Sequence, residues 1–285
     1  MDHLINEAWD IRKANFPDEI QFDFPSKTRA ISVTGSECRL RCSHCNGRYL
    51  EAMAPIDDWQ ANIDHGITSC LISGGCDEKG KVPLMRYLPA IKEIKKSQRK
   101  TNLHVGLIDE HDIDRLTGAA DVVSFDFVGD NETIEEVYGM DKTVDDYISV
   151  YLGLRRRVKV LPHICIGLRG GQISGEYKAL YLLKHLGAEG LVFIVFSPTM
   201  GTHYADREPA ALEEVAGILC RARIDFPNIP IHLGCMRPKG RYRYDLDHLA
   251  LRCGVNKIVQ PTPGAVTLAE EMGLVIKRGE ECCVL

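Results

Sequence analysis

No apolar run in this chain approaches the roughly 20 residues that a helix needs to cross a bilayer. There is no internal repeat, no low-complexity tract and no Ser/Gly linker, so nothing divides the 285 residues into separately folding pieces. Positive charge is not in excess. Lys and Arg number 35 against 40 Asp and Glu, a net charge of −5, which gives no electrostatic footprint for nucleic acid or an anionic membrane. Met1–Leu4 lead into charged residues and not into an apolar stretch, so no secretory leader is expected. A disulfide framework is also missing: the eleven cysteines are odd in number and unevenly spaced. They read as reduced thiols, several of them committed to metal, in a cytoplasmic protein.

What the chain does have is three cysteines on one short loop. Cys38, Cys42 and Cys45 lie in the run E-C-R-L-R-C-S-H-C-N with the spacing C-x3-C-x2-C, directly after a strand-like run. Three thiolates so spaced can hold three irons of a cubane cluster. No fourth cysteine is near in sequence, so one iron keeps an open position at which a reactant can bind. A structural zinc knuckle is the competing reading. It needs a fourth ligand, C-x3-C is uncommon among zinc spacings, and His44 would serve only with strained geometry.

Short β-rich runs alternate with helix-length segments. The expected strands are 30–35, 68–73, 103–108, 122–128, 159–167, 191–196, 229–234 and 257–260. The expected helices are 4–15, 84–96, 144–156, 176–186 and 209–223. Such alternation implies a parallel sheet, and eight strands imply a full or nearly closed (β/α)8 barrel. The reading is a single domain over 1–285, with a helical N-terminal extension (1–28), the barrel (29–268) and a C-terminal tail (269–285). Chemistry in such barrels lies at the C-terminal ends of the strands. The cysteine loop, Ser73–Asp77, Asp126, Asp130, Gly167–Gly171, Pro198–Thr202 and Gly234–Gly240 all fall there.

The cysteine spacing resembles the signature of the radical S-adenosylmethionine (SAM) superfamily. The resemblance implies a [4Fe-4S] cluster on Cys38, Cys42 and Cys45, with SAM chelating the fourth iron. Cleavage of SAM then yields a 5′-deoxyadenosyl radical that abstracts a hydrogen atom. His44 holds a place near the adenine. Gly74-Gly75 resembles the glycine pair that contacts the methionyl amino group, and without Cβ atoms it also allows close backbone approach. The family often has Glu after that pair; this chain has Cys76 and then Asp77. Asp126 ends a strand where a carboxylate can accept both ribose hydroxyls or cap the next helix, Asp130 being the better cap. Gly167-Leu168-Arg169-Gly170-Gly171 resembles the adenine-contacting segment of biotin synthase-like proteins. Arg169 is there either a bidentate partner of the SAM carboxylate or a solvated arginine. Pro198–Thr202 resembles a turn of the same branch that shapes the substrate side.

The remaining thiols bear on subclass. Cys76, Cys165 and Cys235 lie near strand ends, and Cys282-Cys283 lie in the tail. If the tail folds over the barrel mouth, these thiols can ligate an auxiliary iron–sulfur cluster. Ile231–Arg237 is similar to the biotin synthase strand that supplies an arginine ligand, with Arg237 in its place. The alternative is that these cysteines pack as small hydrophobes, as expected for Cys70, Cys220 and Cys253. Cys282–Leu285 also imitates a prenylation ending, but no polybasic run precedes it. Arg237–Arg243 reads as a solvated basic loop, or as a contact for an acidic carrier protein or a phosphate.

Phe16–Ile20, Ser73–Pro83, Asp130–Val144 and Gly234–Gly240 together resemble a subgroup of short biotin synthase homologues. It includes the components of the two-protein, archaeal-type lipoyl synthase. That resemblance implies a sulfurtransferase inserting sulfur at unactivated C–H positions of a protein-bound octanoyl chain, with an auxiliary cluster as sulfur donor. It implies as partners a second radical SAM protein, an octanoylated lipoyl carrier protein and an electron donor such as ferredoxin. Two alternatives stand beside it. One is a rearrangement or metallocofactor-maturation enzyme, of the methylornithine synthase or hydrogenase maturase type, without sulfur insertion. The other is a non-catalytic iron–sulfur scaffold for a partner enzyme.

Overall fold

A computed structural model describes residues Met1–Leu285. Eleven strands form one sheet: β1 Glu19–Asp23, β2 Thr28–Ser32, β3 Ala54–Pro55, β4 Ser69–Ser73, β5 Lys100–His104, β6 Val122–Asp126, β7 Val160–Ile166, β8 Leu191–Val195, β9 Ile231–Leu233, β10 Lys257–Val259 and β11 Val275–Gly279. Their order is β11-β1-β10-β9-β8-β7-β6-β5-β4-β2-β3. Every ladder is parallel. Parallel neighbours require crossovers, and helices supply them. Helices Leu88–Lys96, Val144–Arg155, Glu176–His185, Leu212–Asp225 and Arg241–Arg252 each return the chain to the next strand's start. With helices on the outside and packing within, β7 and β8 are buried on both faces and read as near-continuous apolar runs.

The eight strands expected from the sequence are all present, hydrogen-bonded in sequence order from β2 round to β10. The sheet's two ends do not pair, so the structure is a curled partial barrel. β1 and β2 are only four residues apart. β1 pairs with β10 while β2 pairs with β4, so the chain itself bridges the seam through Phe24–Lys27.

Three strands were not expected. β1 lies within the extension read as helical, and β11 lies within the segment read as tail; they pair with each other over five residues. β11 is mostly exposed and carries Lys277 and Arg278, the composition of a protected edge, and so lacks the apolar signature of a strand. β3 is two residues long. Helix starts follow their local chemistry. Thr143 and Asp146 form a capping box, the Thr143 N–H donating to Asp146 Oδ2 at 2.8 Å. Asp130 Oδ2 accepts from the Thr133 N–H at 3.0 Å.

The tail does not fold over the mouth. It closes the opposite end, where the strands begin. Glu280 pairs with Lys27 (2.5 Å), just before β2, and Glu281 with Lys100 (2.6 Å) at the start of β5 and Thr68 Oγ1 (2.8 Å). Lys257 Nζ, at the start of β10, donates to the Leu285 carbonyl (3.1 Å) and pairs with buried Asp23 (2.8 Å). Cys282, Cys283 and Val284 complete a small core with Val122, Leu161, Val192 and Val259. Lysines at that rim match the tail's glutamates, while the Cys-Cys-Val run fills the apolar opening. No helix is long and apolar enough to cross a membrane.

Candidate active site

The cysteine loop leaves β2 and spans the open end of the barrel. Arg41 (φ 47°) and Asn46 (φ 45°) are left-handed although neither is glycine, each adjacent to a signature cysteine. Such backbone persists only where the surroundings over-determine it, and here four neighbouring segments do so. Thr34 Oγ1 accepts from the Gly75 N–H (2.7 Å) and donates to the Glu37 carbonyl (2.8 Å). The Arg39 N–H donates to the Cys76 carbonyl at 2.9 Å. The Ser43 N–H donates to Val137 O (2.8 Å) in a π-helical turn, Ile134–Tyr138, and the Tyr204 N–H donates to Ser43 O (3.0 Å). Tyr49 Oη and Thr199 Oγ1 lie 2.9 Å apart.

Donor atoms of Cys42, His44 and Cys45 all lie within 4.8 Å of one another. The Cys45 thiol is held below the ordinary thiol range, first by the neighbouring Cys42 and then by His44 and the Gly47 N–H, with burial opposing. The Cys42 thiol is pushed up, first by Cys45 and then by burial. Thiols crowded together in this way favour loss of a proton from one of them, and the thiolate is the form that binds metal. The His44 ring meets Tyr138 edge-on, 6.0 Å between centroids, and its Nδ1 is buried without a partner. Soft thiolate donors facing one cleft, beside an unsatisfied imidazole nitrogen, fit an iron–sulfur cluster.

Two cavities meet under the loop. The cleft on the cysteine side is open to solvent, has a volume of about 320 Å³ and is lined by Cys38, Cys42, Cys45, Gly74, Gly75 and Cys76, among others. The cavity within the barrel has a volume of about 100 Å³, and its apolar walls include Leu168, Ile194, Phe196 and Met236. His44, Tyr49, Asp126 and Tyr138 line both. No Lys or Arg lines either.

The structure distributes the sequence candidates as follows. Cys38, Cys42, Cys45 and His44 share the cleft. Asp126 stands at the junction of the two cavities, its carboxylate without a hydrogen bond or ion pair to protein. Gly74 and Gly75 line the cleft, yet what makes them glycine is close packing. A Cβ on Gly75 would lie 2.0 Å from Glu37 O and 2.5 Å from Cys38 Cα; one on Gly74 would lie 2.8 Å from Val33 Cγ2. Arg169 makes its two-pronged contact with protein carboxylates, Glu132 and Glu136, both at 2.6 Å. Pro198–Thr202 braces the cysteine loop: Thr199 meets Tyr49, and a Cβ on Gly201 would lie 2.5 Å from Arg48 Nη2.

Arg237 departs from its expected place as a cluster ligand. It is fully buried and spent on structure, donating to Asp247 (2.9 Å), Gly234 O (2.6 Å), Val259 O (2.9 Å) and Gln260 O (3.3 Å). It clamps the ends of β9 and β10 to the helix Arg241–Arg252. The proposed auxiliary thiols divide between two places, Cys76 on the cysteine side and Cys235 within electrostatic reach of Cys282 and Cys283. Cys76 joins the signature cysteines, whereas Cys282 and Cys283 sit in the floor, against Asn102 (3.6 Å) and His163 Nε2 (3.6 Å). Cys235 is exposed as a residue, yet its sulfur is enclosed enough to be pushed up, with Arg237 opposing and Cys282 adding to the rise. Cys165 lines the barrel cavity, pushed well up by burial and by Asp126. Cys70, Cys220 and Cys253 lie in the hydrophobic core.

Sequence reasoning passed over Tyr49, Tyr138, His104 and His163. The two histidines had a signal: strand alternation puts Asn102 and His104 on one face of β5, and Leu161, His163 and Cys165 on one face of β7. Their rings lie 5.7 Å apart inside the barrel. Tyr138 had none, because a π-helical turn leaves no pattern in the sequence.

No protein-family model and no curated protein matches this chain. Among solved structures it is similar to methylornithine synthase at 17% identity, over 97% of this chain and 89% of that one, with a TM-score of 0.67. It is similar to the FeFe-hydrogenase maturase HydG from Carboxydothermus hydrogenoformans at 14% identity, over 96% of this chain and 71% of that one, with a TM-score of 0.69. The fold is a radical SAM-like partial barrel. At these identities the likeness is one of fold. The barrel is also shared with the HMG-CoA lyase from Brucella melitensis (11% identity, 92% of this chain and 93% of that one, TM-score 0.52), so any functional argument rests on the cysteine loop.

Proposed function

We propose that this chain is a radical SAM enzyme. The observation that carries the reading is the three-cysteine loop, held over the barrel mouth above a cleft that opens into an interior cavity. Cys38, Cys42 and Cys45 would hold a [4Fe-4S] cluster, and SAM would occupy the cleft. Together these would supply an abstractor strong enough to take hydrogen from an unactivated C–H bond. The chain's own residues orient and insulate. Asp126 offers a free carboxylate to ribose hydroxyls at the junction, and His44 with Tyr138 forms the wall beside it. Leu168, Ile194, Phe196 and Met236 would exclude water from the reacting volume. Anaerobic protein with SAM and a one-electron reductant is expected to form 5′-deoxyadenosine, and Cys42→Ala to form none. A reconstituted wild type that leaves SAM intact would remove the reading.

For the reaction type, a rearrangement or metallocofactor-maturation enzyme without sulfur insertion has the better support. The similar folds of methylornithine synthase and HydG favour it, as does the separation of Cys282 and Cys283 from the mouth. A second reading, sulfur insertion into an octanoyl chain, is favoured by the cavity lining. Mostly apolar walls without Lys or Arg suit an uncharged acyl chain better than an amino acid with a carboxylate. The second radical SAM protein, the octanoylated carrier and the ferredoxin-type donor belong to this reading. Mass spectrometry of an octanoylated carrier peptide, incubated with both proteins and reductant, decides it: added sulfur supports insertion, and an unchanged mass with SAM consumed ends it. Formation of 5′-deoxyadenosine by this chain alone would end the scaffold reading.

A further inference from the structure

Cys76 is the one thiol outside the signature that opens onto the cysteine-side cleft. It is locked to the cysteine loop. Its carbonyl accepts from the Arg39 N–H at 2.9 Å, and the preceding Gly75 N–H is held by Thr34 Oγ1 at 2.7 Å. Gly75 packs so tightly that a Cβ there would lie 2.7 Å from Cys38 Cβ. The Cys76 segment therefore cannot move independently of the first signature cysteine. The Cys76 thiol makes no hydrogen bond to protein, and it lies within electrostatic reach of Cys38 and Cys45. A free, half-buried thiol that lines the same cleft as the three signature cysteines is a donor without another task.

We propose that Cys76 is a fourth, displaceable thiolate of the cluster site. It occupies the open iron corner when SAM is absent and leaves when SAM's amino and carboxylate groups take the corner. On ligation the thiol releases its proton to solvent and an S–Fe bond forms. On displacement that bond breaks and the sulfur regains a proton, with no change in oxidation state. The benefit is protection: a corner iron without a protein ligand is the one most readily lost. The consequence is competition with SAM. This inference rests on the radical SAM reading of the three signature cysteines.

The test compares wild type, Cys76→Ala and Cys76→Ser after anaerobic reconstitution. In the absence of SAM, ferricyanide oxidation followed by EPR reads conversion of the cluster to its three-iron form. Wild type is expected to resist, and Cys76→Ala to convert several-fold faster. SAM titration of the reduced cluster, also read by EPR, gives affinity. If Cys76 holds the corner in nine of ten molecules, removing it lowers the apparent Kd about tenfold. Cys76→Ser, nearly isosteric and with an oxygen donor, should fall between the two. Circular dichroism shows whether Cys76→Ala is folded, and the serine variant carries the test if it is not. Equal conversion rates and equal Kd across the three proteins would overturn the proposal while leaving the radical SAM reading intact. A wild type that takes up no iron would sink both.

Discussion

Gly75→Ala isolates the packing that holds the cysteine loop. The added Cβ would sit 2.0 Å from the Glu37 carbonyl oxygen, 2.5 Å from Cys38 Cα and 2.7 Å from Cys38 Cβ. Two of these neighbours are backbone, so no rotamer change relieves the contact. Restoring ordinary van der Waals separation, at roughly 3.5 Å, means moving the loop by more than about 1 Å. That displacement acts on Cys38 itself and strains the Thr34–Gly75 and Arg39–Cys76 hydrogen bonds (2.7 and 2.9 Å). The overpacking cost is about 1–3 kcal/mol, confined to the loop because the barrel core lies elsewhere. Gly139→Ala is the comparison. Its Cβ meets nothing within 4 Å, leaving only the strain of φ 64°, about 1–2 kcal/mol. The assay is iron and sulfide per chain after anaerobic reconstitution, alongside thermal unfolding. Gly75→Ala should lose most of its iron with a small fall in Tm, and Gly139→Ala should keep its iron. Full iron in Gly75→Ala would refute the claim that this contact positions Cys38.

Burial lowers the imidazoles of His163, to about 4, and of His232, to about 3, from an ordinary 6.5. A histidine depressed in the fold contributes stability above the unfolded value, and that contribution is lost as pH falls from 6.5 toward 4. Between pH 6.5 and 5 each should cost about 2 kcal/mol, read as a drop in the urea midpoint; His163→Gln should flatten the slope, and an unchanged slope would remove His163 as its source. Truncation after Glu280 removes buried Cys282, Cys283 and Val284 and should cost roughly 3–6 kcal/mol of stability. Iron uptake should be retained, because the tail lies at the far end of the barrel from the cysteine loop; loss of iron with the fold intact would contradict that placement.

Much of the barrel was legible because strands buried on both faces carry their signal in composition. Leu191–Val195 and Val160–Ile166 are such runs, with turn residues on either side. β1 and β11 were not legible. β1 is a five-residue alternation, Ile20 and Phe22 inward, and β11 has almost no buried side chain to mark it. The cysteine loop could be read directly, since three ligands on a ten-residue segment need no tertiary information to be neighbours. Tyr49, Tyr138 and the paired histidines needed it, because each reaches the cavities from a different strand or loop.

The sequence by itself determined the class of architecture, the cysteine spacing and the end of the barrel at which that loop lies. Each is local: periodicity sets the elements, and chirality with parallel pairing sends the loops after the strands to one side. Only the tertiary structure decided where the long-range partners went. Cys282-Cys283-Val284-Leu285 is apolar enough to close either end of a barrel, and the lysines at the strand starts direct it to the floor. Arg237 carries the same donors whether it faces a cavity or a carboxylate, and Asp247, buried on a later helix, claims it. Cys76 lies 31 residues from Cys45, a separation that spacing rules cannot interpret. Glycine packing between two adjacent strand ends brings it to the same cleft.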